Sequence, residues 1–115
     1  MTLVSVKESR GANFMAPSDG KVFLICEFEI ENNSNRDIAV SSIASFEAYV
    51  DDYSTSMNLS ATVSSDKPQL DGSVAAGKKM NGTIGYEVDE NWKTIEIRFA
   101  PNFWSGKGIT FEHNK

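Results

Sequence analysis

The chain has 115 residues and a formal net charge of −5. This length fits a single domain, so we expect one hydrophobic core within residues 1–115. Apolar residues make up 40% and charged residues 23% of the chain, which is too apolar for a disordered protein. The acidic charge repels phosphate groups and argues against binding to nucleic acid or to an anionic membrane surface.

Cys26 is the single cysteine, so no internal disulfide can form. The cysteine count leaves the compartment open, because cytosolic proteins and disulfide-free exported bacterial domains both show it. The longest apolar run, Val22 to Cys26, is far shorter than the roughly 20 residues that span a bilayer. Met1 leads directly into a strand-like alternation and not into a signal peptide. We therefore expect no transmembrane segment here, and any export leader or lipid anchor would precede Met1.

Alternation with a period of two dominates the chain, and no stretch of about ten residues carries a clean helical stripe. Val4 and Val6 predict a first strand. The strongest pattern runs from Lys21 to Asn32, where one face is apolar and the other begins apolar and ends acidic. This pattern predicts a central strand with one face on the core and the other partly solvated. Asn32 to Asp37 predicts a turn.

Extended patterns resume at Ile38 and Val40 and again at Phe46 to Val50. Asp51-Asp52 then predicts a hairpin tip. The Ser41-Ser42 pair between the two patterns predicts a bulge or a strand that switches sheets.

The second half begins with an irregular region, Tyr53 to Gln69, which predicts a short helical turn or a mobile loop. Leu70 to Lys78 predicts a corner between sheets. Three further strands follow around Met80 to Val88, Thr94 to Phe99, and Ile109 to Phe111. The residues expected in the core by their shared parity are Val22, Leu24, Phe28, Ile30, Ile84, Tyr86, Ile95, Ile97 and Phe99. The pattern predicts an all-β, antiparallel β-sandwich of seven or eight strands.

Four short motifs occur in a fixed order along the chain. They are Phe28-Glu29-Ile30-Glu31-Asn32-Asn33-Ser34, Val74-Ala75-Ala76-Gly77-Lys78, Gly82-Thr83-Ile84-Gly85-Tyr86-Glu87-Val88 and Ile95-Glu96-Ile97-Arg98-Phe99-Ala100-Pro101. This set resembles the domain of unknown function 4352 family of the immunoprotective extracellular (telokin-like) superfamily, over roughly Lys21 to Phe111. The resemblance implies an immunoglobulin-like sandwich from an exported, often membrane-anchored bacterial protein, and it supplies no catalytic residues. Asp51-Asp52 departs from the Asp-Gly or Asn-Gly turn that such domains often carry.

Cys26 and His113 are the residues that could serve an enzyme with a nucleophile and a base. Cys26 has the parity of the core face, and a thiol in apolar surroundings is inert. His113 lies near the C-terminus, where we expect a frayed surface side chain. No Ser/His/Asp order, metalloprotease motif, P-loop or paired Cys/His spacing occurs. We predict a non-enzymatic domain without a cofactor; a small hydrolase, the alternative, would need a pocket with convergent polar groups.

Glu27, Glu29 and Glu31 lie on one strand face and could join Asp51 and Asp52 in a calcium site. Calcium takes about six to eight oxygen ligands, and no EF-hand spacing is present. We therefore interpret the glutamates as a solvated acidic face and predict no metal site, with a bound cation as the alternative. The candidates to pair with these glutamates across strands are Lys21, Lys93 and Arg98.

Trp92, Phe103 and Trp104 are the candidate binding residues, expected to be exposed aromatics. Phe103 and Trp104 follow Pro101 in a predicted loop, where strand patterning does not require large apolar groups. Such aromatics can anchor a protein or sugar partner; alternatively they fold back and close the open end of the sandwich. The sequence thus predicts an exported module that contacts a protein partner or acts as a spacer at the cell envelope.

Overall fold

The computed structural model describes residues 2–10, 16–63, 65, 67–100 and 109–115. In this part of the chain there are nine strands and one short helix. In chain order they are β1 (Thr2–Ser9), β2 (Lys21–Glu31), β3 (Ile38–Val40), β4 (Phe46–Val50), β5 (Tyr53–Thr55), α1 (Leu59–Val63), β6 (Gly72–Val74), β7 (Lys79–Asp89), β8 (Thr94–Phe99) and β9 (Ile109–Asn114). The predicted all-β class is confirmed, and the strands beyond the predicted seven or eight are short.

The strands pair antiparallel in three sheets, with orders β1-β2-β7, β5-β4-β8-β9 and β3-β6. Because β3 and β4 lie in different sheets, the chain changes sheet between Val40 and Phe46, as the Ser41-Ser42 pair predicted. Ser42 holds this crossing in place: its N–H donates to the Asp71 carboxylate at 2.8 Å and its hydroxyl at 3.0 Å.

One hydrophobic core joins the sheets, and all nine residues predicted for it are at most 2% exposed. Phe28 of β2 is at its centre. Its ring centroid lies 5.7 Å from that of Phe46 in β4 and 5.5 Å from that of Phe111 in β9. These contacts connect the three-stranded sheet to the four-stranded sheet, which makes the molecule a β-sandwich.

The outer face of β2 and β7 is partly covered, since Phe23 is fully buried and α1 packs on β7. The approach of α1 requires Gly85, because a Cβ there would lie 2.6 Å from backbone atoms of Ala61 and Thr62. The Gly85 N–H also donates to the Thr62 hydroxyl at 2.9 Å. The short helical turn predicted after Tyr53 is therefore confirmed. Because α1 covers part of the outer face of β2 and β7, the acidic end of that face is the part exposed to solvent.

Asn32, in the Asn-Asn-Ser motif after β2, has a structural role. Its side chain is fully buried, and its amide donates to the carbonyl oxygens of Arg36 and Val74 at 2.6 and 2.8 Å. Its Oδ1 accepts hydrogen bonds from the N–H and the hydroxyl of Ser34. The motif therefore fixes the turn between β2 and β3 against β6.

The hairpin tip at Asp51-Asp52 is confirmed, and its geometry fits two aspartates. The residues have φ angles of 49° and 72°, as a two-residue type I′ turn requires. Aspartate tolerates this left-handed region better than most residues. The Asp51 carboxylate also accepts hydrogen bonds from the backbone N–H groups of Lys93 and Thr94 at 3.1 and 2.9 Å.

We expect the Cys26 thiol to react slowly with a thiol reagent in the native domain and rapidly in denaturant. Cys26 is fully buried, and burial raises the pKa of the thiol to about 12, so the reactive thiolate is scarce. The measurement is the rate of labelling at neutral pH, with the denatured domain as the control. Immediate stoichiometric labelling of the folded domain would mean that the two faces of β2 are inverted.

Candidate functional site

Trp92 is 3% exposed, so the prediction that it is an exposed aromatic is wrong. Its indole N–H donates to the Glu8 carboxylate of β1 at 2.8 Å. Its ring stacks on His113 with centroids 6.4 Å apart, and the Lys115 ammonium lies 5.6 Å from the ring centroid. The C-terminal residues thus cover the indole, because β9 continues beyond the apolar alternation that predicted it.

His113 also differs from its prediction, since it is part of β9 and is paired with Ile95 of β8. Lys115 follows it and forms an ion pair with Glu8 at 3.0 Å. The hydrogen bonds from Lys115 and then from Trp92 lower the pKa of the Glu8 carboxyl. A lowered pKa means that this contribution to stability is present above the unfolded pKa and is lost as pH falls through the folded pKa. Both side chains are about two-fifths exposed, so solvent keeps the contribution small.

Phe103 and Trp104, the other two candidate binding residues, lie outside the described residues. Their role in binding stays a prediction from the sequence.

The acidic residues considered as ligands of a bound cation do not lie together, and Glu27 and Asp51 have other partners. Glu27 forms an ion pair with Lys67 at 3.7 Å and accepts a hydrogen bond from the Asn81 amide. The Asp51 carboxylate, in the other sheet, is occupied by two backbone N–H groups. Within the described ranges, no three His, Cys, Asp or Glu side chains are grouped closely enough to hold a metal ion.

Lys21 and Arg98, two of the three cations predicted to pair with the glutamates of β2, pair elsewhere. Lys21 contacts Asp89 at 2.9 Å, across the β2–β7 ladder. Arg98 lies in the other sheet, where it contacts Glu47 at 3.9 Å. Strand parity placed these side chains on exposed faces but gave no information on which strands are neighbours, so the predicted pairs of Lys21 and Arg98 were wrong.

A cavity of about 500 Å³ opens where β5 separates from β4, and we call it the β4–β5 cavity. Its lining includes Ile43, Phe46, Tyr49, Ser54, Met57 and Tyr86. Ile43 and Tyr49 are 77% and 42% exposed. Tyr86 is 1% exposed, and its hydroxyl forms no hydrogen bond with any described residue. Burial raises the pKa of Tyr86, so the hydroxyl keeps its proton and can donate a hydrogen bond.

The β4–β5 cavity was not predicted, although two signals for it exist in the sequence. Ile43 is a large apolar residue in a predicted sheet crossing, and Tyr49 has the outward parity of β4. The lining contains several hydroxyl groups and the Glu47 carboxylate, but no imidazole and no thiol. The chemistry of these groups suits the binding of a neutral polar ligand with apolar parts.

This architecture is also found in a known protein. No curated protein shows significant similarity to the chain. A protein from Bacillus subtilis described as a "putative lipoprotein (ycdA)" has a solved structure that matches with a TM-score of 0.79 and 19% sequence identity. The match covers 97% of this chain and 35% of ycdA, so the chain spans about a third of that protein's length. An uncharacterized β-sandwich protein from Clostridium difficile 630 matches with a TM-score of 0.48 and 15% identity, over 97% of this chain and 75% of that one.

The likeness to ycdA shows a shared fold. Among the described residues, no helix is long and apolar enough to cross a membrane. The model of one protein family, the domain of unknown function DUF4352, matches residues 1–109. This chain therefore belongs to the DUF4352 family.

Proposed function

We propose that this domain is a non-catalytic interaction module of an exported protein at the bacterial cell envelope. The observation that carries the proposal is the β4–β5 cavity. It combines an exposed apolar rim, Ile43 and Tyr49, with a floor that offers the Tyr86 hydroxyl, and its lining contains no imidazole and no thiol. Such a surface is suited to binding a partner.

The residues that could have served catalysis are engaged in the fold, which supports the proposal. The Cys26 thiol lies in the core, and the His113 ring packs on Trp92. Ser42 donates to Asp71, with no imidazole in that interaction. A nucleophile requires a base within hydrogen-bonding reach, and these three side chains have other partners.

The envelope part of the proposal is supported by the family and by ycdA. The DUF4352 match and the shared fold are the observations on this chain, and ycdA is a candidate lipoprotein of which this fold forms about a third. A domain joined to an anchored segment in this way would act outside the cytoplasm. We therefore include in the proposal that the protein is attached to the envelope by a lipid anchor and that the domain contacts a protein partner there.

The localisation is tested with the protein expressed from its natural gene and carrying a C-terminal epitope tag. We expect the tag in the membrane or cell-wall fraction and expect it to be removed when intact cells are treated with protease. A cytosolic protein in the same cells, protected until lysis, is the control. A tag that stays protected together with that control would contradict the envelope proposal.

The aromatic anchor predicted from the sequence is tested by Trp104→Ala. We expect the variant to capture less of a cross-linked envelope partner while its unfolding free energy changes by less than about 1 kcal/mol. The exposed Tyr53→Ala variant is the control for general effects of losing an aromatic ring. A stability loss above about 2 kcal/mol with unchanged capture would place Trp104 in the core and exclude it as the anchor.

A further inference from the structure

The backbone N–H and C=O of Phe46, at the start of β4, are directed away from β8. In an antiparallel ladder, successive residues alternate between the neighbour on one side and the neighbour on the other. The carbonyl of Ser45 accepts a hydrogen bond from the Ala100 N–H, on the β8 side. Phe46, Ala48 and Val50 therefore direct their N–H and C=O groups to the side of β5.

β5 is too short to reach Phe46. It pairs with Ala48 through Thr55 and with Val50 through Tyr53, and it ends there. The N–H and C=O of Phe46 consequently form no hydrogen bond with any described residue, although Phe46 is only 7% exposed. Most buried backbone groups in proteins are paired, so an unpaired N–H and C=O on one core residue is unusual.

These unpaired groups lie at the β4–β5 cavity, whose floor also holds the unpaired Tyr86 hydroxyl. The adjacent N–H and C=O of one strand residue are half of a hydrogen-bonded antiparallel pair. A residue of an extended polypeptide supplies the other half, one acceptor and one donor at the same spacing. The hydroxyl groups of a saccharide have no such fixed alternation, so the backbone pattern favours a peptide.

We propose that the β4–β5 cavity binds an extended segment of a partner protein, which pairs with Phe46 in line with the end of β5. This inference rests on the proposed function of an interaction module and specifies its partner. The peptide residue opposite Phe46 shares the inward parity of Phe46, so its side chain is directed toward Tyr86. A side chain with a hydrogen-bond acceptor, such as Ser, Thr, Asn or Gln, fits there. The residues on either side lie opposite Ser45 and Glu47, and their side chains share the outward parity of Glu47 and Tyr49.

The free domain provides the first test, by hydrogen exchange of individual backbone amides measured by NMR. We expect the Phe46 amide to exchange at least about tenfold faster than those of Ala48 and Val50, which are paired with β5. The three residues belong to one strand and are similarly buried, so they are matched controls. Equal protection of all three amides would show that Phe46 is already paired and would overturn the proposal.

A library of displayed nine-residue peptides is the probe for binding. We expect selected peptides to slow exchange of the Phe46 amide, and expect N-methylation of the peptide residue opposite Phe46 to weaken binding about tenfold. Tyr86→Phe, which removes only the hydroxyl, should weaken binding several-fold and leave the fold intact. Tyr53→Phe is the matched control, because Tyr53 is 78% exposed and does not line the β4–β5 cavity.

Three binding results would overturn the peptide site. No peptide is selected, or the selected peptides bind equally well after Tyr86→Phe and after N-methylation, or cell-wall saccharide fragments bind in place of peptides. The proposed function is tested independently of the peptide site. If the tagged protein is found at the envelope and Tyr86→Phe does not reduce its capture of a partner, the domain is an interaction module and the peptide site is wrong.

Discussion

Replacing Phe28 by alanine is expected to lower the free energy of unfolding by about 3–5 kcal/mol. Phe28 is fully buried, and its ring contacts Phe46 and Phe111 from two strands of the opposite sheet. Removing the ring loses its apolar burial and leaves a cavity that those neighbours can only partly fill. The same contacts join the two sheets, so the loss should affect the cooperative unfolding of the whole sandwich.

Chemical denaturation followed by tryptophan fluorescence measures this change. Tyr53→Ala is the control for loss of an aromatic side chain, since Tyr53 is 78% exposed and should change stability by no more than about 0.5 kcal/mol. Phe28→Leu should fall between the wild type and Phe28→Ala because it keeps part of the buried area. A loss below about 1 kcal/mol for Phe28→Ala would place Phe28 outside the core and refute the register of β2.

The long strands could be predicted from the sequence because their side chains alternate over many residues. β2 and β7 each have 11 residues, and an error of one residue would move every apolar group of such a strand to the wrong face. The same strict parity placed Cys26 in the core beside Phe28. The sheet crossing after β3 could also be predicted, because Ser41 and Ser42 interrupt two apolar alternations.

The short elements could not be identified in the same way. β5 and β6 have three residues each and α1 has five, and none of these short segments carries a clear apolar alternation or a helical stripe. These elements are formed by tertiary contacts, such as the packing of α1 on Gly85. The β4–β5 cavity follows from the difference in length between β4 and β5, so it could be found only once the register of both strands was known.

Trp92 shows why the candidate site was harder to predict than the fold. Its indole N–H is hydrogen-bonded to Glu8, 84 positions away in the sequence, and its ring packs on a residue of the last strand. No local pattern around Trp92 reports such distant contacts. A large aromatic residue between two predicted strands was therefore interpreted as exposed, although Glu8 of β1 and His113 of β9 pack against it.

Replacing Trp92 by alanine is expected to cost about 3–5 kcal/mol of stability, comparable to the effect of Phe28→Ala. The side chain is 3% exposed and lies between β1 and β9, which are edge strands of different sheets. Its loss would remove apolar burial, the hydrogen bond to Glu8 and the ring that lies beneath Lys115. An exposed anchor for a partner would contribute little to stability, so this variant separates the two roles.

Trp92→Phe keeps most of the ring and removes the indole N–H, so it should cost less than Trp92→Ala. Because Glu8 is partly exposed and keeps Lys115 as a partner, we expect a loss of about 1 kcal/mol from the missing hydrogen bond. This variant should remain folded and is the form in which binding is tested. If Trp92→Phe and Trp92→Ala unfold at the same denaturant concentration as the wild type while partner capture is lost, Trp92 is an anchor and its packing against Glu8 and His113 is wrong. Unchanged capture by Trp92→Phe, together with a large loss of stability in Trp92→Ala, is the result that the buried position predicts.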